Sequence, residues 1–265
     1  MAQSNALNTY IAEQKNKLAG SNRPALIMTH VVCGYPSFED NWKELQIMQE
    51  FGVDLVELQF PFSEPSADGP LFVKANQEAI ANGVHVQDCF DFMTKVTKEF
   101  SFKVVMMGYF NTIFKTGQRE FLERLSAAGG CGFIVPDLPV EEGAELHEIA
   151  KEFGLSPIVL MTPTNSDERL AQLANSADGF VYTVARKGVT GSDTNMNHDL
   201  TEFILRCKTH TNIPLAVGFG VTTADDVEFI GRNADIAVIG TAALRAWEAG
   251  GETELRAFFS QLLPA

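Results

Sequence analysis

The sequence has 265 residues, of which 45% are hydrophobic and 20% charged, so it is long enough for one large globular domain or two small ones. Its 34 acidic and 20 basic residues give a formal net charge of −14, which excludes an extended basic surface for nucleic acids. A small phosphorylated ligand is still allowed, because backbone N–H groups bind phosphate without any net positive charge.

The predicted elements begin with an amphipathic helix over roughly residues 4–18. Eight β-rich runs then alternate with segments of helical periodicity, and the second run is followed by room for two helices over about 71–100. Most of the runs are continuously apolar, which is typical of parallel strands covered by helices. The predicted strands are 25–32, 53–60, 103–109, 132–136, 156–162, 179–184, 214–219 and 235–240.

Eight strands, each followed by helical sequence, indicate an α/β fold of the (β/α)8 TIM-barrel class with an extra N-terminal helix. The alternative is a doubly wound open sheet. It is less favoured, because no G-x-G-x-x-G opens the helix after the first strand. No linker or low-complexity tract interrupts the pattern, so residues 1–265 are predicted to be a single domain.

The cysteines and the N-terminal segment predict a cytoplasmic protein. The four cysteines lie far apart without a C-x-x-C pair, which favours reduced, mostly buried thiols over disulfides or a zinc site. The first twenty residues contain no apolar signal-peptide core, and no apolar run reaches the length of a membrane span. We therefore expect no membrane association.

Two carboxylates follow the second predicted strand, at the end of a barrel where active sites lie. Glu57 is surrounded by apolar residues, and burial there would raise its pKa into the range useful for proton transfer. The alternative is a structural ion pair with a Lys or Arg of the barrel. Asp68 lies in a loop bounded by Pro and Gly, where an aspartate also serves simply as a turn former.

Three glycine-bearing loops, at 186–191, 218–220 and 239–242, follow the last three strands. Glycine allows close approach of an anion, and a helix start offers free N–H donors, so the loops together favour a phosphate site over ordinary turns. Thr241 is the expected N-cap of the last helix.

Other polar residues of the predicted strands carry weaker signals. Tyr182 either reaches toward the barrel mouth or only packs. His30 is expected to be a hydrogen-bonded core histidine. The histidines have no metal-ligand spacing, so no metal site is predicted, and no G-x-S-x-G or Cys–His pattern indicates a covalent nucleophile.

Seven motifs together resemble the tryptophan synthase alpha subunits, in order and spacing, over essentially the whole chain. The most specific is VDLVELQFPFSEPSADGP, which contains both carboxylates. The others are CGYPSFED (33–40), MGYFNTIF (107–114), VPDLPVEE (135–142), GFVYTVARKGVTG (179–191), AVGFGV (216–221) and VIGTA (238–242).

The resemblance implies a (β/α)8 lyase that cleaves indole-3-glycerol phosphate by a retro-aldol reaction to indole and glyceraldehyde 3-phosphate. It implies that Glu57 is the principal acid/base and Asp68 the second catalytic carboxylate, with Tyr182 near Glu57 and Thr190 in a mobile loop that closes over substrate. The implied phosphate site consists of Gly191, Gly220, Gly240 and Thr241.

The resemblance also implies a partner. Family members form an assembly of two alpha and two beta chains, in which indole passes to a pyridoxal-phosphate-dependent beta subunit. This chain is then expected to bind no cofactor of its own. The loop after the second strand and residues 136–142 are the expected contact regions.

Five positions depart from the usual family pattern: Cys33, Gln59, Glu64, Ser66 and Thr112. Gln59 stands where glycine is usual, and its side chain is expected to crowd either the pocket or the partner-facing loop. Two other functions stay open: a related phosphate-binding barrel enzyme, and a catalytically weak subunit that only activates a beta chain. The intact spacing of Glu57 and Asp68 favours the lyase.

Overall fold

The computed structural model describes residues 6–18, 20–184 and 193–263, with residues 193–197 described by their backbone only. Strands and helices alternate along these ranges after an initial helix. The strands are β1 (Leu26–Val32), β2 (Leu55–Gln59), β3 (Lys103–Met107), β4 (Gly132–Ile134), β5 (Ser156–Met161), β6 (Val181–Val184), β7 (Leu215–Gly218) and β8 (Ile236–Ile239). The helices are α1 (Ala6–Leu18), α2 (Phe38–Glu50), α3 (Pro70–Ala81), α4 (Val86–Glu99), α5 (Phe110–Thr116), α6 (Gln118–Ala127), α7 (Ala144–Glu152), α8 (Asp167–Ser176), α9 (Asp193–His210), α10 (Ala224–Asn233) and α11 (Thr241–Leu262).

The eight strands form one closed barrel in chain order, and every neighbouring pair is parallel. This confirms the (β/α)8 prediction and excludes the open sheet. Closure explains the apolar runs, because each strand has one face toward the barrel interior and the other toward the surrounding helices. The two helices predicted between the second and third strands are α3 and α4.

Strand alternation decides which residues of β2 enter the barrel. Leu55 packs in the interior cluster with Met28 and Val105, whereas Val56 and Leu58 pack in the layer between the barrel and the helices. Because strand side chains alternate with a period of two, Glu57 and Gln59 point inward like Leu55. The apolar interior thus gives way to polar side chains at the C-terminal end of β2.

The extra N-terminal helix α1 covers the opposite end of the barrel. Leu7 and Ile11 are fully buried in the interior cluster, and the Asn8 amide donates to Asp178, which precedes β6, over 2.7 Å. The Tyr10 hydroxyl donates to the backbone oxygen of Asp54, which precedes β2. The barrel is therefore closed at the N-terminal ends of its strands, and its C-terminal end is left for the site.

The structure differs from the predicted elements in two respects. Helix α5 was not predicted; it begins directly after Tyr109 and is separated from α6 only by Gly117, so no polar break marks it. The predicted strands also extend too far. Phe60 and Tyr109, for example, are buried although they lie beyond the ends of β2 and β3. A buried apolar residue next to a strand end therefore looks in the sequence like a continuation of the strand.

The four cysteines are free and buried, as predicted: Cys33, Cys89, Cys131 and Cys207. Of the helices in the described ranges, none combines the length and apolar character that crossing a bilayer requires.

Candidate active site

Glu57 is a buried carboxyl group without a hydrogen-bond partner for one of its oxygens. The residue is 2% exposed, and no described residue donates to its Oε2. Burial, together with the nearby charge of Asp68, raises the pKa of Glu57 to about 8. The carboxyl is therefore mostly protonated at neutral pH, as a proton donor must be.

The structural explanation of Glu57, an ion pair with a barrel Lys or Arg, is wrong within the described part of the chain. The only basic group there within 4 Å of its carboxyl is the His30 imidazole, whose Nδ1 lies 3.9 Å from Oε2. That distance is too long for a hydrogen bond. Burial also lowers the pKa of His30 to about 4, so the ring is neutral and provides no counter-charge.

His30 itself is a satisfied core histidine, as expected. Its Nε2 lies 2.8 Å from Oε1 of Gln59, and its ring stacks on Phe72 with centroids 4.2 Å apart. His30 lies beside Glu57 in the register between β1 and β2. The ring therefore forms part of the wall beside the Glu57 carboxyl.

Asp68 lies in the loop between β2 and α3, and its side chain turns into the same site. Its Oδ2 accepts hydrogen bonds from Gln59 Nε2 at 2.7 Å and from the Tyr109 hydroxyl at 3.0 Å. Burial raises the pKa of Asp68, and both donors act in the opposite direction because they stabilise the ionised form. Asp68 is thus more than a turn former: two donors stabilise its ionised form, whereas no described residue donates to Oε2 of Glu57.

Tyr182 enters the site from β6. A Cβ on the neighbouring Gly218 would lie only 2.9 Å from its ring, so the glycine makes room for the aromatic side chain. Burial, with the charges of Glu57 and Asp68, raises the pKa of Tyr182 well above its ordinary value. The hydroxyl therefore stays protonated, and it can donate a hydrogen bond.

Where the structure describes the late loops, the start of α11 has no side-chain cap. Helix α11 begins at Thr241 with Gly240 as its N-cap, with no side-chain cap and no acidic residue in the first turn. In α10, by contrast, Asp226 and Thr223 form a capping box. The first N–H groups of α11 and its dipole are therefore available to an anion.

The prediction that Thr241 caps α11 was wrong by one residue. Gly240 holds the non-helical N-cap conformation (φ −100°, ψ −83°), and Thr241 is the first helical residue. A Cβ at Gly240 would lie 3.5 Å from both His30 and Phe72, so this turn passes close to the polar end of the barrel.

The remaining predicted site residues divide into two groups. Gly220 is exposed with a φ of +88°, and open space lies around the position that a Cβ would occupy. Thr190 and Gly191, together with the basic pair at 186 and 187, lie outside the described residues.

Two residues of the site were missed as functional partners. Gln59 was expected to crowd either the pocket or the partner-facing loop, but it is fully buried and bridges His30 to Asp68. The period-two pattern from Leu55 through Glu57 places it on the inward face, a signal that the sequence did contain. Tyr109 binds Asp68 from the end of β3, and nothing local to its sequence indicates that contact.

Comparison with known proteins identifies the family. A family model described as tryptophan synthase alpha chain matches residues 16–260. The tryptophan synthase alpha chain of Syntrophotalea carbinolica is 44% identical over 248 residues, which cover 94% of this chain and 97% of that protein. The fold is similar to a chain of tryptophan synthase from Mycobacterium tuberculosis, with a TM-score of 0.87, 30% identity and 98% coverage of both chains.

A further structural relative comes from the tryptophan synthase complex of Pyrococcus furiosus, with a TM-score of 0.82 and 28% identity. It is matched over 92% of this chain and 99% of that chain. Full-length agreement in sequence and fold, around a site with two inward-facing carboxyl groups, leads to one conclusion. The chain belongs to the tryptophan synthase alpha chain family, the lyase that cleaves indole-3-glycerol phosphate in tryptophan biosynthesis.

Proposed function

We propose that this chain cleaves indole-3-glycerol phosphate with two carboxyl groups in different protonation states, Glu57 protonated and Asp68 ionised. The observation that carries the proposal is their contrast in surroundings. Glu57 is buried with an oxygen to which no described residue donates a hydrogen bond, whereas Asp68 accepts two hydrogen bonds at one oxygen. Pairs of carboxyl groups held in such different environments take separate acid and base roles.

The first step is protonation of the indole ring at C3. Glu57 gives its proton to C3, which leaves Glu57 as a carboxylate and the ring as a cationic indolenine. Positive charge then develops at the ring N1–H. An ionised Asp68 stabilises this charge through a charge-assisted hydrogen bond, an interaction that strengthens as the transition state forms.

The second step breaks the bond between C3 and the glycerol carbon. The electron pair of that bond returns to the ring and restores aromatic indole. The hydroxyl on the glycerol carbon loses its proton as its oxygen becomes the aldehyde of glyceraldehyde 3-phosphate. The Glu57 carboxylate takes up this proton and is ready for another turnover, so the protons balance without a metal or an organic cofactor.

Tyr182 and Thr190 complete the proposed substrate site. The Tyr182 hydroxyl is protonated and faces the two carboxyl groups, so it serves as a hydrogen-bond donor to the substrate or to Glu57. Thr190, from the sixth loop, would close over the bound substrate. Exclusion of water there would strengthen the electrostatic interactions of both carboxyl groups.

The phosphate of the substrate is proposed to bind at the start of α11. Gly240 and Thr241 offer backbone donors at an uncapped helix terminus, and Gly220 lies in the preceding loop with open space around it. Gly191 would complete the site from the sixth loop. Backbone donors suit this acidic chain, because they bind phosphate without a dedicated cation.

Substitution of Gly220 tests the phosphate site. We expect Gly220→Asp to raise KM about tenfold or more relative to Gly220→Asn, since about 1.4 kcal/mol of repulsion between the carboxylate and the phosphate gives that factor. Asparagine is the matched control, because it suffers the same backbone strain at φ +88° without the charge. Equal KM values for the two variants would remove Gly220 from the site.

The partner is a tryptophan synthase beta chain, because alpha chains of this family pair with beta chains. Pyridoxal phosphate belongs to that beta subunit, and the alpha chain requires no cofactor. We propose an assembly of two alpha and two beta chains. Its contact regions on this chain would be the loop after β2 and residues 136–142.

We also propose that residues 1–265 act as a single domain in the cytoplasm. One closed barrel contains all eight strands, which supports a single folding unit. The four free, buried cysteines suit a reducing compartment.

Indole release from indole-3-glycerol phosphate tests the proposed roles directly. It is measured for the wild-type chain and for the Glu57→Gln and Asp68→Asn variants. Wild-type turnover with both variants severely impaired supports the two-carboxylate mechanism, and ordinary turnover in either variant refutes the role of that residue.

A further inference from the structure

Gln59 connects two residues that belong to separate parts of the site. Its Oε1 lies 2.8 Å from Nε2 of His30 on β1, and its Nε2 lies 2.7 Å from Oδ2 of Asp68 in the loop after β2. The side chain of Gln59 is fully buried, and its contact with His30 lies in the buried interior. A buried amide with partners at both ends is held in one orientation.

The chemistry of the three groups fixes the direction of both hydrogen bonds. An ionised Asp68 only accepts, so the amide nitrogen of Gln59 must face it and the amide oxygen must face His30. His30 must then donate from Nε2. The ring is neutral, so its Nδ1, on the side of Glu57, carries no proton.

Both donors to Asp68 bind the same oxygen. Gln59 and the Tyr109 hydroxyl contact Oδ2, and no described residue donates to Oδ1. The carboxylate is thereby fixed at one oxygen while the other is left for a ligand. Gln59 lies on a barrel strand and Asp68 on a loop, so the bond ties the loop carboxylate to the rigid part of the molecule.

We propose that Gln59 is a positioning residue for the lyase reaction, one that holds the Asp68 carboxylate ionised and aimed at the indole nitrogen while His30 fixes the orientation of the amide. The proposal rests on the function proposed above for Asp68. It gives the departure at position 59 a role in the reaction, in place of the crowding expected from the sequence.

The charged and titratable groups around Asp68 determine how the loss of Gln59 changes the pKa of Asp68. Glu57 on β2, Tyr109 after β3 and Tyr182 on β6 face the carboxylate, and His30 on β1 reaches it only through Gln59. Of the two donors that favour its ionised form, Gln59 is the one on the barrel strand. Removal of the amide donor therefore raises the pKa of Asp68.

The test is Gln59→Met, which keeps the length of the side chain and removes its donor. We expect kcat for indole release to fall about 10- to 100-fold, the effect of losing one hydrogen bond to a charged group, while KM changes little. The acid limb of the kcat profile should also move to higher pH. A packing role alone would not move that limb.

Two controls distinguish a failure of the role proposed for Gln59 from a failure of the function proposed for Asp68. Gln49→Met removes an exposed amide that bonds Ser101 on the surface, and it should leave kcat and the pH profile unchanged. If Asp68→Asn strongly lowers kcat but Gln59→Met matches wild type in kcat and in the acid limb of the pH profile, the positioning role of Gln59 is refuted while the role of Asp68 stands. If Asp68→Asn is fully active, the function proposed for Asp68 fails as well.

A measurement on the wild-type chain covers the case in which Gln59→Met does not fold. Nitrogen NMR of His30 should find the proton on Nε2, with Nδ1 unprotonated. A proton on Nδ1 would mean that the amide of Gln59 is reversed and turns its oxygen toward Asp68. That result would overturn the proposal.

Discussion

Glu57→Gln should lose indole release by about 10⁴-fold or more, because the proposed mechanism assigns Glu57 two proton transfers and each is worth about 10²–10⁴-fold. Glutamine keeps the shape of the side chain but has no acidic proton to give to C3 and no basic oxygen to take the hydroxyl proton. Steady-state assay of indole formation measures the loss. Binding of a phosphorylated substrate analogue should survive, since the proposed phosphate contacts lie on other loops.

The same variant should become more stable relative to wild type as the pH rises. The pKa of Glu57 is raised from 4.5 to about 8 in the folded chain, so its contribution to stability is full below 4.5 and is lost as the pH rises through 8. Glutamine suffers no such loss. The difference in unfolding free energy should grow by roughly 1.4 kcal/mol per pH unit across this window.

Urea unfolding of both proteins at pH 5 and pH 8 checks this result. Glu44 is a second buried carboxyl with a pKa raised to about 8, but it contributes equally to both proteins and cancels in the difference. An inactive Glu57→Gln variant that is less stable than wild type at pH 8 would point to a misfolded site. Ordinary turnover in a folded variant would refute the assignment of Glu57.

Asp68→Asn should lower kcat by about 10²–10³-fold, the usual cost of removing one preorganised electrostatic contact to a transition state. The neutral amide cannot balance the charge that develops at the indole nitrogen. KM should change less than kcat, because the ground-state ring is uncharged. Steady-state kinetics at saturating substrate separates the two parameters.

Glu64→Gln is the matched control for Asp68→Asn. Glu64 is exposed in the same loop, so its substitution removes one negative charge from that loop without entering the site. We expect kcat near that of wild type in the isolated chain. An equal loss in both variants would mean that the total charge of the loop matters, and not a contact from Asp68.

Much of the fold was accessible from sequence because burial on both faces leaves a clear pattern. The eight apolar runs correspond to the eight barrel strands, and the helix before them is α1. The ends of the strands were harder to predict, since Phe60 and Tyr109 continue the apolar pattern beyond the last paired residues of β2 and β3. Helix α5 was missed for the related reason that its sequence, FNTIFKT, has neither a cap nor a clear polar face.

The site was only partly accessible from sequence. Glu57 is recognisable as a carboxylate within an apolar strand, and the closed barrel gives it the buried position that the pattern predicts. The hydrogen bonds of the site, however, join residues that are distant along the chain. His30 contacts Gln59 across 29 positions, and Tyr109 contacts Asp68 across 41. Such pairings follow from barrel closure and strand register, which no local pattern encodes.

The central claim is that this chain cleaves indole-3-glycerol phosphate through Glu57. The most direct test is indole release by purified wild-type chain and Glu57→Gln, each alone and with a tryptophan synthase beta chain. We predict release by wild type that rises with the beta chain, and almost none by Glu57→Gln in either condition. No release by wild type in either condition, with the beta chain still activated, would contradict the claim and make the chain a regulatory subunit.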